Sequence, residues 1–501
     1  MKIQQFLAHH SIVRNPFAEE DARTDPVFKD CCIASTYHPT WDKVYGDPRE
    51  PATAIVFGEK GSGKTALRLQ IARHLREHNQ AHPDQQVLVI HYDDFNPFLD
   101  RFRDRFGIRR RRPDRLLAEW RLADHIDAIL SLAITGLVDR ILAVKQPSST
   151  IDAELHVTPH VVLDRYQVRD LLLLSACYDQ SHAEPFPQRW RLLRRHLRFR
   201  SLRASLDLTL GCTAALLIGV LALVLAIYGQ TNWLQPAWLW LVAAAGCFLP
   251  FALRAMRCLA LAWNIACRTR VIVRNPLQLW RVLLKFHAPE LLSQPLPGQQ
   301  GTEARYEMLV KLQSALQTLG LTGIVVLVDR VDEPHLINGS AELMRALIWP
   351  MLDNKFLKHP GLGLKLMLPI ELTRFIERAD REFYQRARLD KQNVISKFEW
   401  TAESLWDVAA ARLRACSDQE RSLSLRAFFA DTIPDARLRD ALRSLRTPRH
   451  LFRFLYRLLV NHCNAHTDDR PCWKIEVDNF EATLAVYLRE QDAFDRGVGA
   501  G

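Results

Sequence analysis

The chain has 501 residues, a formal net charge of +11, 48% hydrophobic residues and 25% charged residues. These values exclude a disordered, collagen-like or disulfide-scaffold protein, and the length suffices for several domains with at least one sizeable core. The positive balance points to an anionic partner: a nucleotide, a phospholipid surface or a nucleic acid.

The opening stretch MKIQQFLAHHSIVRNPFAEED has no apolar run of the secretory-signal kind, and residues 1–50 read as an N-terminal segment packed beside the element that follows. Ala54–Phe57 predicts a strand. It feeds Gly58-Glu59-Lys60-Gly61-Ser62-Gly63-Lys64-Thr65, a full match to G-x-x-x-x-G-K-[ST], and a helical pattern follows with Leu67, Ile71 and Leu75 on one face. In such a loop the glycines allow backbone N–H groups to turn around phosphate oxygens, aided by the helix dipole. The stretch Gly58–Ala66 is therefore the candidate nucleotide-binding element. Lys64 would reach the β- and γ-phosphates and Thr65 would ligate Mg²⁺.

QVLVIHYDDF predicts a second strand, after which Asp93 and Asp94 either contribute to the site or begin a solvated loop. Residues 114–146 and 161–180 carry helical periodicity. Arginines gather at 109–112 and again in RWRLLRRHLRFRSLR, 189–203. Leu208–Tyr228 and Trp233–Leu253 are then free of charge, and each as a helix would cover about 31 Å, the thickness of a bilayer core. Trp233, Trp238 and Trp240 suit a water–lipid boundary. Arginines on both outer flanks (Arg194, Arg195, Arg198, Arg200 and Arg203; Arg254, Arg257, Arg268 and Arg270) predict a transmembrane hairpin with both outer ends cytoplasmic.

Ile324–Val328 is a β-branched apolar run of the kind buried on both faces of a parallel sheet, and it ends in Asp329, followed by Asp332 and Glu333. Asp329 is the candidate Mg²⁺ partner, and Asp332 or Glu333 the candidate base for an attacking water. GLGLKLMLPIEL, 361–372, predicts another buried strand, with Glu371 or Thr373 beyond it placed to sense a γ-phosphate. The ten cysteines include no CxxC pair and read as reduced thiols. HCNAH, 462–466, is an isolated group of metal-ligand residue types, and reads as surface helix or loop. Asp495–Gly501 reads as a disordered tail.

Lys64 and Asp329 stand 265 positions apart with the apolar pair between them. A P-loop NTPase carrying transmembrane helices between its Walker A and Walker B motifs resembles the KAP family, among the STAND and AAA+-like ATPases. The ending DRVDE is similar to the STAND Walker B pattern. Arg330 stands where AAA+ proteins carry their catalytic Glu, which makes Glu333 or Asp332 the base by this resemblance. SLRTPRHLFRFLYRLL is similar to the basic element of the helical lid in such proteins, which places Arg449 near the nucleotide and leaves Arg388 as a candidate arginine finger.

The expected fold is an α/β P-loop NTPase with a parallel sheet flanked by helices, an inserted two-helix transmembrane hairpin and a C-terminal helical lid. The expected divisions are 1–50, 51–205, 206–254 (the hairpin), 255–400 and 401–501. The expected function is a membrane-anchored, ATP- and Mg²⁺-dependent conformational switch in the cytoplasmic membrane, with the NTPase on the cytoplasmic side. The resemblance carries an association with signalling and with phage or plasmid exclusion, and a homo-oligomer is compatible with it. Two alternatives stand beside it: a nucleic-acid-binding ATPase using its arginine runs, and a scaffold that binds nucleotide without turnover.

Overall fold

Among the described residues there are five strands: β1 (Ala54–Gly58), β2 (Gln86–Tyr92), β3 (Leu321–Val328), β4 (Leu362–Pro369) and β5 (Asn393–Ile395), the first four built on apolar runs. They make one all-parallel sheet in the order β2-β3-β4-β1-β5. β1 pairs with β4 from Ala54↔Lys365 to Gly58↔Pro369, and with β5 from Ala54↔Asn393 to Val56↔Ile395. Every residue of β1 and β4 is buried, as expected of strands covered on both faces. Lys365 lies within β4 because its Nζ donates to the carbonyls of Val44 (2.6 Å) and Tyr45 (2.9 Å), and burial pushes its pKa down to about 8. β5, three residues long, is too short to show periodicity in the sequence.

The computed structural model describes all residues except 108–110, 144–162, 182–183, 200, 202–204, 229–236, 299–300, 418–423 and 496–501. Most of the expected tail therefore lies outside the described residues, as do Arg109, Arg110, Arg200, Arg203 and Trp233. The chain forms two compact units, one from Met1–Ala81, Val325–Ile348 and Leu352–Gly501, the other from His82–Ile324 and Trp349–Met351.

The helices used below are α1 (Lys64–Ala81), α2 (Leu122–Ile141), α3 (Arg165–Tyr178), α4 (Phe186–His196), α5 (Leu206–Ile227), α6 (Ala237–Gly246), α7 (Leu249–Arg268), α8 (Glu303–Thr318), α9 (Ala402–Cys416), α10 (Asp435–Leu445), α11 (Pro448–Ala465) and α12 (Val477–Asp495). In the first unit, the N-terminal helix Ile3–His9 and α9 to α12 share one core, with Phe6, Leu405, Leu445, Leu451 and Leu458 nearly inaccessible.

In the second unit, α2 is buried over most of its length, including Asp124, Asp127 and Asp139. Each carboxylate meets an arginine, because a buried charge needs a partner with well-placed hydrogen bonds. Arg305 of α8 is bidentate on Asp127 (2.9 and 2.8 Å), and Tyr178 donates to the same carboxylate. Burial pushes the Asp127 carboxyl up to about 6, against the pull of Arg305. Arg270 pairs with Asp124. Arg189 of α4 bridges Asp139 (2.6 Å) and Asp179 (2.7 Å), all three side chains being 2% exposed. Arg189 therefore belongs to the core, whereas Arg191, Arg195 and Arg198 of the same arginine run are exposed.

α5 is a 22-residue helix with a mean hydropathy of 2.7 across its most apolar window, only 6% of which is buried. Leu210, Leu216, Leu217 and Ile227 are each more than 60% exposed. The second apolar stretch differs from the expected single helix. α6 and α7 meet at a 52° bend, with Pro250 in the first turn of α7, where its missing N–H and fixed φ favour a new helix start. Among the described residues, one helix is thus long and apolar enough to cross a bilayer, or two if the bent pair counts as one span. Arg254, expected on the flank, is buried against Asp207 (3.0 Å) and the carbonyls of Leu284 and Phe286.

Candidate functional site

β1 delivers Gly58 to the loop and α1 begins at Lys64, so the loop closes on the N-terminus of an 18-residue helix. Gly61 (φ 86°) and Gly63 (φ 94°) adopt the left-handed conformation that glycine supplies without steric cost. A Cβ at Gly58 would lie 2.6 Å from Ser62 Oγ, and one at Gly61 would lie 2.7 Å from Arg449 Cβ. Gly61→Ala is therefore expected to cost about 1–2 kcal/mol in backbone strain, and to push the α11 terminus from the loop. Thermal unfolding and tryptophan fluorescence of Trp400 would read both effects, and an unchanged melting temperature and spectrum would contradict them.

Lys64 folds back on the loop, its Nζ donating to the carbonyls of Gly58 (2.7 Å) and Glu59 (2.8 Å). Burial lowers its pKa, and the charges of Asp329, Asp332 and Glu371 oppose that shift. Thr65 Oγ1 donates to Asp329 Oδ2 at 2.9 Å. Asp329 is 2% exposed; its Oδ1 accepts from the Arg330 backbone N–H (2.9 Å) and its Oδ2 lies 3.3 Å from Arg68 Nε. Burial raises the Asp329 pKa; the Arg68 charge is the largest influence against it.

This constellation fits the two groups expected from the sequence. A hydroxyl and a carboxylate in contact are hard oxygen donors of the kind that hold Mg²⁺ together with waters. A lysine, a helix N-terminus and a buried Ser62 Oγ without a hydrogen-bond partner suit a multiply charged anion.

Asp332 and Glu333 line the same cavity of about 190 Å³ as Lys60, Lys64, Thr65 and Ala66. Arg330, a non-glycine residue at φ 60°, turns back to clamp Glu333, and this hydrogen bond holds the Glu333 carboxyl below the usual glutamate range. Arg449 enters at the start of α11, where Thr447 caps the helix. Its backbone N–H donates to Gly61 O (3.4 Å) and its Nε lies 3.8 Å from Glu20. Arg388 stands outside that cavity lining, at φ 45°, with its Nε 3.4 Å from Asp390. Asp94 accepts from the Asn96 N–H and Thr373 donates to Ile370 O, both local turn contacts. Arg111 donates to Phe106 O.

Five participants escaped the sequence reading. Arg68 could have been found, since a residue three positions after Thr65 shares its helix face. Trp400, whose Nε1 donates to Ser62 O (2.7 Å), lies 338 positions away and carries no local signal. Asp25 and Arg412 form a buried ion pair (2.5 Å) in the cavity wall, with the Arg412 guanidinium 4.3 Å from the centre of the Phe452 ring. His38 stacks on Phe398 (3.8 Å between centroids) and bonds Glu399 O.

No family model, no curated protein and no solved structure matches this chain.

Proposed function

We propose that the chain is a membrane-anchored P-loop ATPase that works as a conformational switch. The observation that carries the reading is the 2.9 Å contact between Thr65 and Asp329, which joins two motifs 264 positions apart beside the glycine loop. Lys64 would leave the Gly58 and Glu59 carbonyls for phosphate oxygens, while Thr65 and Asp329 hold Mg²⁺. Mg²⁺ supplies charge neutralisation at the phosphates. Glu333, once released by Arg330, or Asp332, would take the proton of the attacking water. α9 to α12 serve as the helical lid, with Arg449 responding to the nucleotide. Arg388, half-buried on its left-handed turn, is the finger candidate toward a second copy. The resemblance to KAP and STAND ATPases supports the same assignment.

The membrane part rests on α5. A soluble core helix of this hydropathy would be mostly buried, whereas α5 exposes a surface that lipid would cover. With α6 and α7 as the returning span, the expected even number of crossings keeps both flanks on the cytoplasmic side, and the exposed Arg195, Arg198 and Arg257 agree.

Lys64→Ala tests the reading. Removing charged hydrogen bonds worth roughly 1.5–3 kcal/mol should weaken ATP binding about 10–100-fold, with the protein still in the carbonate-washed membrane fraction. Unchanged ATP affinity in that variant would overturn the assignment.

A further inference from the structure

We propose that His462, His466 and Cys472 bind one zinc ion at the far end of α11 from the glycine loop. The two histidines are four residues apart, at the end of α11 and its C-cap, and their ring centroids lie 4.7 Å apart. Cys472 comes from the loop leading to α12, and one donor atom from each residue lies within 4.8 Å of the other two. His462 is fully buried, contrary to the surface position expected from HCNAH.

The His462 ring is already oriented. Its Nε2 contacts the Cys472 carbonyl at 2.8 Å and must donate to it, leaving the lone pair on Nδ1, which has a long 3.5 Å contact with the Asn479 amide. A ring N–H held by a backbone carbonyl is the outer bond that metal-ligating histidines commonly make. Cys472 Sγ rests on Lys474 O at 3.1 Å. One thiolate with two imidazoles is a donor set that Zn²⁺ accepts, and in zinc sites with three protein ligands the fourth position is left to solvent. Tetrahedral bonds require donor separations of about 3.5 Å. His466 and Cys472 are only partly buried and can close the remaining distance.

The ion would fasten α11 to the 466–476 loop. That loop also receives the N-terminal helix, through His10 Nε2 on Trp473 O (2.9 Å) and His9 stacked on Trp473 at 4.1 Å. The site shares no residue with the nucleotide reading and stands or falls without it.

The test uses the full chain in detergent, purified without chelator or affinity histidines. We expect one zinc per chain by metal analysis, and on Co²⁺ substitution a near-ultraviolet thiolate-to-cobalt band. Cys472→Ala should abolish the band, and His466→Ala should weaken metal affinity at least tenfold. Less than a tenth of an equivalent after reconstitution overturns the proposal, as does metal binding by both variants equal to that of the unsubstituted chain. If either variant loses its far-ultraviolet circular dichroism, the cobalt spectrum of the unsubstituted chain decides alone: the band supports the site and its absence removes it.

Discussion

Asp329→Asn is expected to slow phosphate release from ATP on the order of 10²–10³-fold, the usual cost of losing one preorganised electrostatic contact at a reacting phosphate or carbonyl. The two carboxylate oxygens are divided between Thr65 and Arg68 on one side and the Arg330 N–H on the other. Asparagine keeps the shape and one acceptor but loses the negative charge that would face Mg²⁺, in a buried place where charge interactions are strong. It also turns an N–H group toward Arg68 or Thr65. Lys64 and the glycine loop are untouched, so nucleotide affinity should fall far less than turnover, and that split separates the chemical role from a loss of folding. Turnover within threefold of the unsubstituted chain would remove Asp329 from the metal role. Glu333→Gln and Asp332→Asn in the same assay assign the base: one of them should lose turnover while retaining ATP, and normal rates in both would exclude the two candidates.

Arg189→Ala should produce the largest loss of stability. It strips the shared cation from Asp139 and Asp179, whose side chains are 2% exposed. Removing one partner from such a buried pair costs about 3–5 kcal/mol, which for a unit of this size corresponds to a melting temperature about 10 °C lower. Arg195→Ala, on the exposed face of the same helix, should stay within about 0.5 kcal/mol of the parent. The pH dependence has a definite sign. Burial already raises the Asp179 pKa and the Arg189 charge is the main opposing influence, so removing Arg189 raises it further above its unfolded value. The native variant then binds more protons than the unfolded chain, and its deficit narrows as pH falls toward the ordinary carboxylate range. A deficit that widens on acidification, or equal melting of the two variants, would contradict the buried triad.

Those two arginines show where sequence reading succeeds and stops. Within RWRLLRR nothing local distinguishes Arg189 from Arg195; the difference is made by Asp139 and Asp179, which come from elsewhere in the chain. The Gly58–Thr65 loop is legible because its chemistry is contiguous: glycines, lysine and threonine act through one turn of backbone. Asp329 is legible because strand burial and a terminal carboxylate occur together. Strands β1 to β4 follow from their apolar runs, whereas β5 has three residues and no pattern. Apolarity reveals the second hydrophobic stretch, but its 52° bend depends on Pro250 starting a new helix, one of two outcomes a proline near a helix end permits. Trp400 and Arg412 reach the cavity through tertiary packing alone.

The distance in sequence between Thr65 and Asp329 has a consequence in time. A ribosome adds roughly 5–20 residues each second, so the 264 positions separating these partners take about 13–50 s to synthesise. Throughout that interval the glycine loop exists without its acidic partner. The apolar α5 emerges meanwhile and must find its own surroundings first. A nascent chain therefore cannot bring Thr65 and Asp329 together before its hydrophobic helices have been made, and under the proposed function the order of translation would set membrane engagement ahead of nucleotide loading.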